Sequence, residues 1–575
     1  MSFPANDEAA WRLIRDAENQ IAEIDSLVDT ARLASRLRLH VARSLGKLSR
    51  TSDGESAAEA RFRSVGLYLA TIRDPASTTT ARDRYWAEGE LAALYLDAGR
   101  TAEALRLARG ALGSASSADD VLARYRFGRV LALALDGAGD RPASLDTLRR
   151  TARLGESLRR DRLGRLSSTD AHAPYAGEPD YRETTRLLLS MLLDEVESKG
   201  VTVSQSHLRE VRDLLETQRS AELEDHFGDA CLVKEEGTSI DAIEGALILY
   251  PILLEDRVAL LTGFEGRFSY YRAPITTASV LDHTRELRRL LGKRTTRQYL
   301  RPAQHLYDAL IRPIEGRIEA KDVEALIIVP EGLLRTIPFA ALHDRQSKRF
   351  LIDLKPLALV PSLRLTSPTP IAREGLSILA AGIEQARGGF ERLDYTRLEI
   401  ESLRERFPST RVLFDEAFKI DELEREIRTR PYSIVHVATH GRVEADGAKS
   451  FLLAHDGTLG LDRMSRMIST TRFRRDRPLE LLTLSACETA AGDERAALGL
   501  AGVALRAGAR SALATLWPVN DEATALLIDT FYGELFKPGQ SRAGALRIAQ
   551  REVRDTPRFA HPGYWAPFLM ISSWL

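Results

Sequence analysis

The stretch Tyr432-Ser-Ile-Val-His-Val-Ala-Thr-His-Gly441 and the stretch Leu479-Glu-Leu-Leu-Thr-Leu-Ser-Ala-Cys487 decide the fold. Each is a short apolar run that stops abruptly in small and polar residues. Such near-continuous apolar runs, bounded by turn residues, are the pattern of strands buried on both faces of a parallel sheet. Similar runs lie at 246–254, 257–264, 325–330, 377–383, 450–457 and 511–518, with amphipathic helical patterns between them. Residues 223–575 therefore read as an α/β domain with a mostly parallel sheet, in two tandem halves, 223–370 and 371–575. In an open parallel sheet ligands sit beyond the carboxyl ends of strands. His440 and Cys487 both fall at that edge, on strands that could be neighbours.

That pair has a chemical rationale. A free cysteine is mostly thiol at neutral pH, and an adjacent imidazole that accepts its proton yields a strong nucleophile. Gly441, directly after His440, leaves its backbone N–H uncovered. Together with the amide near Cys487 it could receive the oxyanion of a tetrahedral intermediate. Taken singly, each residue has a plainer reading, a packed thiol and a turn histidine. Zinc held by Cys487, His440 and His436 is disfavoured, because two histidines four apart on a strand are too distant to share one ion comfortably.

Working outward, residues 1–222 read as helix after helix. Two stretches starting at Tyr85 and Arg124 look like copies of one unit: a helix, a Gly-containing turn (Ala98-Gly99, Ala138-Gly139) and a second helix. The copies resemble tetratricopeptide repeats, with a spacing nearer about 40 residues than the usual 34. A plain helical bundle is the alternative. A solenoid would offer its concave face to a protein or peptide partner. The Gly-, Ser-, Asp- and Pro-containing segment 161–180 reads as a linker.

Composition excludes several classes. With 81 basic and 82 acidic residues, the balance gives no sign of a nucleic-acid binder. Only two cysteines, Cys231 and Cys487, exclude a disulfide scaffold and a four-cysteine zinc site. The charged N-terminus has no signal-peptide pattern, and no apolar run reaches the length of a membrane span. A cytoplasmic location is expected. No phosphate-binding Gly-x-x-x-x-Gly-Lys-Ser/Thr loop occurs.

HVATHG (436–441) and LSACETAAG (484–492) resemble the two signature blocks of CHAT domains, in the caspase, separase and gingipain group of cysteine peptidases. Further blocks match in order: LEDHFGDAC (223–231), ILYPILLEDRVALL (248–261), LYDALIRPIE (306–315), LIIVPEGLLRTIPFAALHD (326–344), SFLLAHDGTLGL (450–461) and GLAGVALRAGARSALATLWPVNDEAT (499–524). The resemblance implies an α/β caspase-like fold, in which an inactive half (223–370) precedes a catalytic half (371–575). It implies His440 as general base, Cys487 as nucleophile, no cofactor and no metal, and an activating partner bound by the helical region. It also implies a role in bacterial stress, defence or cell-death signalling. Trp517-Pro-Val-Asn-Asp521 is similar to a separase segment whose Asp holds a basic P1 side chain. Asp521 is thus a candidate for the S1 pocket, and equally for the cap of the helix that follows. Asp493 and Glu494 are a second acidic candidate, and Glu444 or Asp446 could orient His440. The expected activity is that of a cysteine endopeptidase cleaving after Arg or Lys. The rival is a non-catalytic scaffold that senses a partner.

Overall fold

The computed structural model describes residues 16, 19, 31–52, 54–74, 79–166, 181–201, 204–227, 243–373, 375–443, 449–469, 479–485, 488–489 and 508–575. The chain forms two compact units, which divide between Leu192 and Leu193. Composition changes later, at about 223, because the helix at 205–227 is helical in pattern yet packs on the sheet.

The first unit is all helical: α1 (Ala31–Thr51), α2 (Gly54–Arg73), α3 (Ala81–Asp97), α4 (Thr101–Ser117), α5 (Val121–Gly137), α6 (Arg141–Leu166) and the start of α7 (Tyr181–Lys199). Helices α3 to α6 start at residues 81, 101, 121 and 141, so each helical pair repeats after two such steps. The turns repeat too. Gly99 and Gly139 are left-handed, at φ +73° and +83°, and Asp119 holds the equivalent place at φ +50°. At each, the next residue's N–H reaches back five positions: Arg100 to Tyr95, Asp120 to Ala115 and Asp140 to Leu135 (2.8–3.0 Å). Small residues set the packing. A side chain at Gly89 would sit 2.1 Å from the Phe127 ring, and the Ser144 hydroxyl donates to the Ala132 carbonyl at 2.7 Å. The unit is a tetratricopeptide-like array.

The second unit is built on one sheet. Its strands are β1 (Ala246–Leu253), β2 (Val258–Phe264), β3 (Arg267–Arg272), β4 (Ala325–Ile328), β5 (Leu357–Leu359), β6 (Ile378–Gly382), β7 (Arg411–Phe414), β8 (Ile434–Ala438), β12 (Leu481–Leu484), β14 (Ser511–Thr515) and β15 (Phe568–Ser572). Their order is β3-β2-β1-β4-β5-β15-β14-β12-β8-β6-β7. Only β1–β2, β2–β3 and β14–β15 pair antiparallel. Because β15 runs parallel to β5 but against β14, the run β1, β4, β5 and β15 points opposite to the run β14, β12, β8, β6 and β7. Strands β6, β8, β12, β14 and β15 are buried along their whole length, as expected when both faces are covered. Beside this sheet lies a smaller one of β9 (Gly441–Val443), β10 (Phe451–Ala454), β11 (Gly457–Gly460) and β13 (Glu488–Thr489).

Candidate active site

Strand β8 lies between β6 and β12. Ala438 pairs with Gly382, Val437 with Leu484, and the Ser485 N–H donates to the Val437 carbonyl at 3.1 Å. Beyond β8 the chain leaves the large sheet for the small one. The Thr439 hydroxyl donates to the Leu453 carbonyl (2.8 Å), and the Leu453 N–H to the His440 carbonyl (2.8 Å). Gly441 therefore faces Leu452 at the next, non-bonded rung, where its N–H points away from β10.

The His440 ring is half-buried and held from two sides. Its Nε2 lies 2.8 Å from the Glu391 carbonyl oxygen. A carbonyl only accepts, so Nε2 donates to it, and in the neutral ring that leaves the lone pair on Nδ1. Phe390 stacks on the ring, with centroids 4.9 Å apart. Both contacts come from the strap 384–395. Its tip is a tight turn in which Arg387 and Phe390 bond each other's backbone, with Gly388 and Gly389 at φ +58° and +85°. Two successive positive φ values require glycine or a residue like it. Among the described residues, the polar contact on the His440 ring is this carbonyl. Sequence reasoning sought an acidic side chain, and a carbonyl leaves no side-chain signal, although Gly388-Gly389 marks the turn that delivers it.

Asp521 does not cap its helix. Helix α10 (Asp521–Leu535) is capped by Asn520, whose side chain accepts from the Ala523 N–H at 3.1 Å. Asp521 instead accepts the Tyr395 N–H at 2.6 Å. Burial pushes its carboxyl above the usual carboxylate range. Glu399 and Asp394 add to the rise, while the Tyr395 N–H and His440 oppose it.

His436 faces away from this site. Its Nε2 is 2.8 Å from a Glu399 carboxylate oxygen, at an angle poor for a hydrogen bond. Its Nδ1 is 3.3 Å from the Tyr532 hydroxyl, which lies 2.8 Å from the Thr483 hydroxyl. All four side chains are buried. This cluster ties β8 and β12 to α10 and to α9 (Thr396–Arg406). Gly382 allows α9 to close on β6, since a side chain there would meet Ile400 at 2.4 Å. Among the described residues no group of His, Cys, Asp and Glu is arranged to hold a metal ion. None of their helices is long and apolar enough to cross a membrane.

Cys487, Cys231, Asp493, Glu494, Glu444 and Asp446 lie outside the described residues. The flanks of Cys487 are described. Ser485 is bonded to Val437, and Glu488 pairs with Arg442 in β9, so the chain meets the His440 segment on both sides of the thiol's position in sequence.

The family model for the CHAT domain matches residues 300–573. The CHAT match begins before β4 and takes in β8, β12 and β15. Tetratricopeptide repeat protein 28 is 27% identical in mouse and 26% in human, over 47% of this chain but only 13% of each relative. The separase–securin complex of Saccharomyces cerevisiae aligns with 94% of this chain and 53% of that one, at 10% identity and a TM-score of 0.41. A score that low carries no weight. In the helical unit, a cavity of about 570 Å³ lies between α4 and α6 over α5, with Leu112, Leu131 and Leu154 among its lining and Arg124, Arg150 and Arg153 at its sides.

Proposed function

We propose that the CHAT domain is a cysteine endopeptidase. Cys487 transfers its proton to Nδ1 of His440, and the sulfur attacks a peptide carbonyl carbon. The oxyanion accepts from the N–H groups of Gly441 and Cys487. His440 returns the proton to the leaving amine as the C–N bond breaks, which leaves a thioester. Water, deprotonated by His440, then attacks the thioester, and the acid product leaves as the thiol is restored.

The observation that carries this reading is the register on either side of Cys487. Its neighbours in the chain, Ser485 and Glu488, are paired with Val437 and Arg442, three residues before and two after His440. A histidine ring whose Nε2 donates to a carbonyl, leaving Nδ1 to accept a proton, supports the same reading. Cleavage follows Arg or Lys, with Asp521 and Asp493 supplying negative charge to the P1 side chain. The half-buried Asp521, which holds the end of the strap that touches His440, favours that preference.

The test is turnover of peptide reporters with Arg, Lys or a neutral residue at P1 by the wild type and Cys487→Ala, together with labelling by a peptide-based thiol probe. Equal turnover and equal labelling by both proteins sink the reading. The tetratricopeptide-like array binds the substrate or an activating protein, and the arginine-sided cavity in it favours an acidic segment. If turnover is absent with every such partner, the chain is a scaffold.

A further inference from the structure

Asp415 is a non-glycine residue at φ +46°, a backbone region that a branched carboxylate side chain adopts at a cost and keeps only where its surroundings hold it there. It sits just after β7, buried, and its carboxylate accepts from two consecutive N–H groups, Glu384 at 2.8 Å and Gln385 at 3.3 Å. These are the first residues of the strap that carries Phe390 and Glu391. At the far end of the same strap, Asp521 accepts the Tyr395 N–H. Between the two, Leu393 N–H returns to the Glu384 carbonyl at 3.0 Å, so the strap closes on itself. The Glu384 side chain is pinned by Arg392 and Arg397, and Arg397 also approaches Asp415 at 3.8 Å. Two carboxylates from outside the strap thus bind main-chain N–H groups near its two ends, and the strap brings the Glu391 carbonyl and the Phe390 ring onto His440.

We propose that Asp415 and Asp521 are positioning residues: they clamp the two ends of strap 384–395 and thereby fix the orientation and tautomer of His440 through the Glu391 carbonyl. This rests on His440 being the base, but the geometry is readable without catalysis. It gives Asp521 a second task beside recognition, so a cationic side chain drawn to Asp521 acts on a group that also holds the base in place. Asp415 has only the positioning task.

The experiment is the nitrogen–proton correlation spectrum of the imidazoles in the full chain, with the His440 signal assigned by its loss in His440→Gln. Wild type is expected to show His440 as the Nε2–H tautomer. Asp415→Ala and Asp521→Ala are expected to convert it to a mixture of tautomers. Asp415→Asn and Asp521→Asn, which keep an accepting oxygen, are expected to restore the single tautomer. In turnover of the Arg reporter, Asp415→Ala should lower kcat by roughly 10²-fold with little change in KM, the scale of a misplaced catalytic group, and Asp415→Asn should recover most of it. Should the alanine variants fail to fold, Gly389→Val serves instead. It opposes the φ of +85° at the tip, where a side chain would meet nothing, and should produce the same tautomer mixture. Folded alanine variants, or a folded Gly389→Val, with the wild-type tautomer would overturn the proposal. A wild type that stays silent with every substrate and activating partner, but whose tautomer still responds to the clamps, would uphold the strap and remove the peptidase reading.

Discussion

The two halves of the large sheet use the carboxyl ends of their strands in opposite ways. In the first half those ends are closed by α8 (Gln205–Phe227). The Glu331 carboxylate, three residues past β4, accepts the Leu253 N–H and faces the fully buried Arg219 of α8 at 3.2 Å. Arg219 also meets Glu222, which in turn binds Arg335. Nearby, Glu216 of α8 accepts from the hydroxyls of Tyr250 (2.8 Å) and Ser362 (2.7 Å) and from the Arg364 N–H (3.2 Å). In the second half the ends of β8 and β12 carry a half-buried imidazole beside a backbone strap. Parallel strands leave the same row of unpaired groups at both places. A helix that satisfies them with buried charge makes a seam, and one that leaves them uncovered makes a site. Since the two runs point in opposite directions, closing the first leaves the second untouched.

The sharpest way to break this comparison is by chemistry. On the proposed mechanism Cys487→Ala and His440→Ala should each abolish turnover of the Arg reporter, by at least about 10³-fold, because a nucleophile and its base act as a unit. Changes at Arg219 or Glu331 should leave the tautomer of His440 alone. Progress curves with equal protein decide this, and a first-half variant that lost turnover while folded would merge the two halves into one site.

Stability should respond the other way round. Arg219→Met removes the cation between Glu331 and Glu222 and strands buried carboxylates, at about 3–5 kcal/mol. Adding Glu331→Gln should return part of that loss, and urea unfolding of the single and double variants measures the coupling. A strictly additive pair would show that the seam is not held by charge. Next in size, Gly382→Ala forces a methyl toward Ile400, Thr396 and the Ala438 carbonyl, which should cost about 1–3 kcal/mol and loosen α9. An unchanged midpoint would mean that α9 is free to shift.

Much of this could be read from the chain. Within 432–441 and 479–487, β8 and β12 end at Ala438 and Leu484, where apolar residues give way to small and polar ones, because a strand buried on both faces has only one composition available to it. The turns at Gly99 and Gly139 were equally visible, whereas the equivalent turn at Asp119 was not, since an aspartate there carries no signal for a left-handed backbone. Helix α8 was assigned to the helical region because amphipathic pattern reports that a helix buries one face, not what it buries it against. At the site, His440 announces itself by its place after a strand. The atom that orients it is a carbonyl, contributed by a residue whose side chain has no part in the contact. Asp521 looked like a cap because it stands at a helix start, but Asn520 is one residue nearer the turn and takes the bond.

The smallest expected effect concerns that residue, and its sign follows from burial. The Asp521 carboxyl titrates above the usual carboxylate range in the folded protein. The folded state therefore holds this proton more tightly than the unfolded chain does. Keeping the group ionised costs stability at neutral pH. As pH falls through the raised value the cost is relieved, fully so below the unfolded value of about 3.9. Asp521→Asn removes the titration while keeping an oxygen for the Tyr395 N–H. Its stability relative to wild type should be highest at neutral pH and should decline as both are acidified, a difference of under about 1 kcal/mol for a half-exposed group. Paired thermal melts across that range read it directly. The opposite trend, with wild type losing ground to the variant on acidification, would mean that partners of the carboxylate outweigh its burial, and the strap would then be held by a charged latch stronger than one main-chain donor can account for.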